Sequence, residues 1–504
     1  MARDNANDTM AKAFGNPLIL DSTFTKLDLP DLKTSRLVCR DWNDVGVTVL
    51  AKRAFLQVNK LFSCNFDEVP PVADALMRCL LISDKFDPSI RSKKEEIQVI
   101  TKSLTQVSEL TREIKLVAAQ KEFIPAFLEG IRTLGSTKVQ RVDIISDKLY
   151  KIPAEACRKL PPQPSLTSLG VNLLPKGLPP RTSSYQQEFL VKILLEAAPN
   201  LTTLDVAASL YPNLEGCKSL KVLKFECMAH LMDYRRNRNL AKLTDMLAHV
   251  KDSLIELELN IWESTEKMKS VTGGPVMSKL TTLSIHPTDA NEILDFFDED
   301  HFPKLKTLRV HDIGGDSSFL SFLNLWRRHS GVQSLALTMN SFEGWEDMEF
   351  GEKIVDLFPT VKEFKLALED IHFTAIPAVS NIIEPFKTWD LEGVSVHVDG
   401  VTQTSVLVDV LKAMSGLKGV KSARFSDTYV NESNFSPHVQ DLILRSREYQ
   451  RVEISGRVVP EIVKRFQLIF EASGAPIHFT GGVANGFGAQ QINYRALCNL
   501  LNGF

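Results

Sequence analysis

Read for apolar and polar positions alone, the chain from residue 139 onward keeps returning to one six-residue pattern, apolar-x-x-apolar-x-apolar. Its first positions are Val139, Leu166, Leu201, Leu220, Leu254, Leu280, Leu305, Val332, Val361, Leu391, Val420 and Tyr449. The intervals between these twelve anchors are 27, 35, 19, 34, 26, 25, 27, 29, 30, 29 and 29 residues, a mean of about 28. Within each copy the last two apolar positions alternate with intervening residues, as Leu204 and Val206 or Leu335 and Leu337 do, which is the period of a strand with one face inward. Between copies the spacing becomes helical. Phe189, Leu190, Ile193 and Leu194 share one face, as do Leu240, Leu243, Leu247 and Val250, and as do Val463, Phe466, Ile469 and Phe470 behind Pro460.

A unit of one strand and one helix cannot bury its own apolar face, so such units must stack. The period lies in the range of leucine-rich repeats, which the pattern resembles, and it predicts an α/β fold: a curved leucine-rich-repeat solenoid of strand-helix repeats over residues 111–480. A weaker copy at Thr111-Ile114-Leu116, 28 residues before Val139, sets its expected start.

Ahead of the repeats the periodicity is purely helical. Asn16 to Trp42 reads NPLILDSTFTKLDLPDLKTSRLVCRDW and breaks into three short helical pieces. Pro17 opens the first, with Leu20, Phe24 and Leu27 on one face; Pro30 and Asp31 restart the chain, with Leu32 as the apolar contact; Ser35, Leu37, Val38, Cys39 and Trp42 supply the third. This segment resembles the F-box family, in which a Pro and an apolar run precede a Phe, a Leu-x-x-x-Asp-Leu segment and Leu-Val-Cys-(Arg/Lys)-x-Trp. The matching positions are Pro17, Leu18 to Leu20, Phe24, Leu27, Asp31, Leu32 and Leu37-Val38-Cys39-Arg40 with Trp42. Asn16 stands where leucine or proline is usual, and Leu18 where the family often has Glu. The resemblance implies a three-helix module over residues 16–60 that buries apolar surface against a Skp-type adaptor, itself carried on a cullin scaffold. Its expected adaptor contacts are Pro17, Leu18, Ile19, Leu20, Leu27, Leu32, Leu37, Val38, Cys39 and Trp42. Residues 1–15 are then an N-terminal tail, 61–110 a connector, and 481–504 a Gly-rich C-terminal tail.

Composition narrows the partners. The 59 basic and 62 acidic side chains of the 504 residues leave a net charge of -3, without the field that draws nucleic acid or an anionic membrane. The first residues mix charges and lack the apolar core of a secretory signal, and no apolar run reaches membrane-spanning length, which points to the cytoplasm or nucleus. Seven cysteines, Cys39, Cys64, Cys79, Cys157, Cys217, Cys227 and Cys498, are scattered without C-x-x-C pairs and read as buried free thiols.

In a repeat array the strand residues flanking the inward pair point outward. Among them Glu226, Glu256 and Glu258 make an acidic stretch, and His286, Arg309 and His311 a cationic one; these six are the candidate substrate contacts. A partner carrying basic residues beside an acidic or phosphorylated one would complement them. His286 and His311 fall at the same position of adjacent repeats, which places them on neighbouring strands about 5 Å apart. With no thiolate in their row, a metal site is not expected there. The run from Gly481 to Gly488 lacks the Gly-Lys-Ser/Thr of a phosphate-binding loop, and no nucleophile elbow, zinc-protease or kinase signature occurs. The expected function is therefore non-enzymatic and cofactor-free, and the F-box resemblance implies a substrate receptor of a cullin-type ubiquitin ligase. The alternative is a repeat scaffold whose N-terminus merely caps the array.

Overall fold

The computed structural model describes residues 16–57, 74–83, 97, 100–101, 104, 110–118, 123–133, 138–146, 156, 158–173, 184–228, 241–262, 274–286, 297–313, 323, 326–339, 349–369, 380–381, 383–401, 404–428, 435–456 and 460–481. Three helices come first: α1 (Pro17–Phe24), α2 (Leu29–Ser35) and α3 (Arg40–Arg53). Among the described residues sixteen strands follow, the registered pairs all parallel. The chain divides into two compact units, one carrying the described residues to Thr282 with 300–303, the other 283–286, 297–299 and everything from 304 onward.

In the first unit the strands β1 (Leu56–Gln57), β2 (Cys79–Ser83), β3 (Glu113–Val117), β4 (Arg141–Ile145), β5 (Ser168–Asn172), β6 (Thr203–Ala207), β7 (Val222–Met228) and β8 (Glu256–Trp262) pair in chain order. The second apolar position of each copy faces its counterpart: Val142 faces Leu169, then Leu204, Leu223 and Leu257. All five are shut off from solvent. Each turn into β4 to β8 donates two successive amides to one carbonyl of the preceding repeat, as Thr202 and Thr203 do to Thr167 O at 2.9 and 3.0 Å. Such bonds need parallel neighbours at fixed register, so a period near 28 residues becomes a ladder. The helices α4 (Phe123–Thr133), α5 (Ser184–Ala197) and α6 (Ala241–Ala248) bury one stripe each, with Phe123, Phe127, Leu128 and Ile131 on α4.

The second unit continues the scheme with most of β9 (Thr282–Ile285), then β10 (Thr307–Ile313), β11 (Ser334–Met339), α7 (Glu349–Leu357), β12 (Glu363–Leu368), β13 (Gly393–Asp399), α8 (Thr404–Met414), β14 (Val420–Thr428), α9 (Val439–Ser446), β15 (Arg451–Gly456), α10 (Pro460–Ser473) and β16 (Ile477–Gly481). Its core is aromatic as well as aliphatic. Phe386 and Trp389 stack at 4.9 Å beside Phe364, and Phe297 stacks on Trp326 at 4.4 Å.

The twelve pattern copies coincide with β4 to β15, and the weak copy with β3. Three strands lie outside the pattern copies. β1, in the expected helical module, and β2, in the expected connector, register on β3 from the N-terminal side ahead of the expected array, and β16, at the array's expected end, pairs with β15. Register also slips once: Val394 faces Val420 but Val396 faces Ala423 and Val398 faces Phe425, because one extra residue bulges from β14 at Lys421. Two expected helix-face residues, Phe189 and Ile469, are exposed, while Leu190, Ile193, Leu194, Phe466 and Phe470 are buried; the apolar stripe is narrower than the sequence suggested. Leu240 lies outside the described residues, as do 482–504.

Candidate docking surfaces

The helical module is held by local chemistry that its sequence supplies. Asn16 Oδ1 accepts the amide of Leu18 at 3.0 Å, capping α1 just before its proline, and Asp28 Oδ1 accepts the amide of Asp31 at 2.8 Å at the start of α2. Asn16 is thus a functioning cap. Leu20, Phe24, Leu32, Val49 and Leu50 form the core, with Leu27, Leu29, Trp42 and Val45 packed against it. Trp42 meets Phe24 edge-on at 5.4 Å. At the end of α1 the Arg53 guanidinium donates to the carbonyls of Phe24, Thr25 and Leu27 at 3.3, 3.4 and 2.5 Å.

Between α2 and α3 the chain departs from the expected third helical piece. Leu37 N and Val38 N close a tight turn on Thr34 O and Ser35 O at 3.0 and 3.2 Å, Cys39 is extended, and the helix begins only at Arg40. Arg36 fixes this turn. Its guanidinium donates twice to Asn43 Oδ1 at 3.2 Å, and its stem lies across Gly46, where a Cβ would collide with it.

The ten residues singled out for adaptor contact therefore divide. Leu20, Leu27, Leu32 and Trp42 build the module's own core. Pro17, Leu18, Ile19, Leu37, Val38 and Cys39 lie on its surface. Leu37 is 85% exposed, Leu18 81%, Val38 63% and Ile19 45%, and no other large apolar side chain among the described residues is as exposed as Leu37 or Leu18. Cys39 is not the buried thiol expected, whereas Cys79, Cys217 and Cys227 are buried. Burial pushes the Cys217 thiol up to about 11, which leaves it a small core residue.

On the first unit's outward strand face, Glu258 and Glu256 are not bare. Lys224 Nζ sits 2.9 Å from Glu258. Burial opposes that ammonium, but its hydrogen bond to Glu258 and the charges of Glu258, Glu256 and Asp205 outweigh the penalty and hold its pKa above the ordinary value. Glu226 faces Asn260 on β8. The acidic stretch is thus built around a lysine. In the second unit the rings of His286 and His311 lie 5.6 Å apart, close to the spacing expected of adjacent repeats, and His311 Nε2 is 2.8 Å from Ser284 Oγ. Arg309 lies two residues before His311 and registers with Ala336.

With these surfaces described, comparison with known proteins adds little. No family model matches the chain, and no curated protein does. Among solved structures it is similar to the leucine-rich repeat-containing protein LegL7 from Legionella pneumophila, at 13% identity over 78% of this chain and 98% of that one, with a TM-score of 0.36. It is also similar to a protein from Bacteroides fragilis, at 10% identity over 64% of this chain and 67% of that one, with a TM-score of 0.26. The fold assignment rests on the strand register, not on these likenesses. No helix among the described residues is long and apolar enough to cross a membrane.

Sequence reasoning missed a polar network on β13 and β14. Ser426 Oγ donates to Asp399 Oδ1 at 2.6 Å and lies 3.2 Å from His397 Nε2. The His397 pKa is lowered, chiefly by burial and also by Arg424, although Asp399 and Glu453 work the other way. The register that follows the slip at Lys421 sets Ser426 opposite Asp399, whereas the interval from Leu391 to Val420 would set it opposite His397.

Proposed function

We propose that this chain is the substrate-recognition subunit of a cullin-type ubiquitin ligase: its helical module docks a Skp-type adaptor, and its strand face holds a protein substrate. One observation carries the reading. The module closes its own core with Leu20, Leu27, Leu32 and Trp42 and leaves Leu18, Ile19, Leu37 and Val38 in water, at F-box-like positions. Each Leu or Val buried there by a partner would contribute about 1.5–3 kcal/mol. On this reading the chain catalyses nothing itself and acts by holding a substrate at high effective concentration beside a ubiquitin-charged enzyme.

Co-purification of the full chain with a Skp-type adaptor tests it. The double substitution Leu37→Asp, Val38→Asp sits on exposed side chains, so it is expected to abolish binding and leave the circular dichroism spectrum unchanged. Leu18, where the family often has Glu, favours a second reading: a protein-binding repeat scaffold with no ligase role. An intact chain that captures no adaptor supports that scaffold.

A further inference from the structure

The three helices of the module do not begin alike. α1 starts under the side-chain cap of Asn16 and α2 under that of Asp28, at 3.0 and 2.8 Å. At the start of α3 stands Cys39, whose side chain makes no cap bond, although its carbonyl takes the amide of Asn43 at 2.9 Å. A helix that lacks a side-chain cap leaves the chain entering it poorly fixed. Here the entering chain is the exposed pair Leu37 and Val38, whose amides reach back to Thr34 O and Ser35 O.

Two side chains span this junction: Arg36, one residue before the exposed pair, and Asn43, in the first turn of α3. Both are half-buried, and the guanidinium gives Asn43 Oδ1 two bonds of 3.2 Å. The Arg36 stem is pinned on Gly46, so the fork is held before it bonds. We infer that the Arg36–Asn43 clasp takes the place of the missing cap and presets Leu37 and Val38 for the adaptor, which makes Arg36 and Asn43 positioning residues of the docking turn. The inference rests on adaptor docking through this turn. Neither residue has to touch the partner. A partner that accepts one arrangement of the turn loses affinity in proportion to how seldom that arrangement is populated, and a turn already set spares binding the cost of ordering two apolar side chains.

Adaptor affinity and amide exchange, both measured on the full chain, test it. Arg36→Met keeps a stem over Gly46 and removes the fork; Asn43→Ala removes the acceptor. Each is expected to weaken adaptor binding about tenfold, and the double variant also about tenfold, because the two side chains act through one contact. Asn43→Asp, which offers the guanidinium a charged acceptor, should bind at least as tightly as the parent chain. Without adaptor, the amides of Leu37, Val38 and Asn43 should exchange faster in both single variants, while those of Leu20 and Thr25 in and after α1 keep their parent rates. A loss of about a hundredfold in the double variant, single variants that bind like the parent, unchanged exchange at the turn or equal acceleration at Leu20 and Thr25 would overturn the clasp. An intact chain that binds no adaptor overturns the receptor reading instead, and exchange at the turn still decides whether the clasp holds it.

Discussion

In the repeat array an apolar residue of the pattern is an inward residue: Leu308, Leu335 and Phe364 lie on adjacent strands and each is closed to solvent. In the helical module, Leu37 and Val38 stand side by side in a turn with most of their surface in water. The two regions use equally apolar sequence to different ends. A repeat gains its missing surface from the next repeat, so every apolar position finds a neighbour. The module has three short helices and one small core, and the side chains that core does not take remain outside. Exposed leucines in such a place are candidates for a partner, whereas a scattered exposed leucine on an array helix needs no explanation.

The comparison breaks most visibly on deletion of equal side chains. Leu32→Ala, at a fully buried module position, is expected to cost about 2–5 kcal/mol, and Leu335→Ala in the array a similar amount. Leu37→Ala should stay within about 0.5 kcal/mol of the parent protein. Hydrogen exchange of α1 to α3 and of β10 to β12 reads each region separately, and a large loss of protection with Leu37→Ala would show that the turn is part of the core after all.

Smaller effects sharpen the same contrast. Gly46→Ala pushes the Arg36 stem away and should cost about 1 kcal/mol through overpacking, while shifting the Leu37–Cys39 turn. Adaptor affinity should therefore fall more than stability does, and titration calorimetry beside chemical denaturation measures both. Asp28→Ala removes the cap of α2 and is expected to cost about 1 kcal/mol, visible as a lower denaturation midpoint.

The smallest effect is set by pH and belongs to the array. His397 has a lowered pKa in the folded chain, so the unfolded chain binds its proton first as pH falls. Its neutral form contributes fully above the ordinary imidazole range; stability is then lost as pH falls from that range to the lower folded value. His397→Gln should flatten this part of the stability profile, and a slope that persists unchanged would assign it to another group.

How much of this was legible in the sequence varied with how strictly burial dictated each residue. β4 to β15 announce themselves because both inward positions of each strand had to be apolar. β2 obeys the same rule through Met77, Leu80 and Ile82, but its copy lies 34 residues before Thr111, well off the mean period. β16 hid for another reason. Its first position is Gly474, at φ 64°, whose left-handed backbone ends α10 as Ala475 N bonds back to Phe470 O at 3.2 Å. The Pro17–Cys39 segment was legible as apolar but not as exposed, since helical spacing does not say which of Leu20 and Leu18 faces inward until the helices meet. Leu37 and Val38 read as helix because nothing local distinguishes an apolar turn from an apolar helical start. In the Ser426, Asp399 and His397 network the repeat interval sets Ser426 opposite His397; its facing of Asp399 instead comes with the bulge, which no repeat spacing encodes.

Titration calorimetry of a Skp-type adaptor into the full chain and two double variants tests the central claim most directly. One variant is Leu37→Asp, Val38→Asp; the other is Leu444→Asp, Leu468→Asp, which places the same charges on exposed leucines of the array helices α9 and α10. The account predicts that the first loses at least about a hundredfold in affinity and the second is unchanged. An intact chain that fails to bind, or equal losses in both variants, would contradict it.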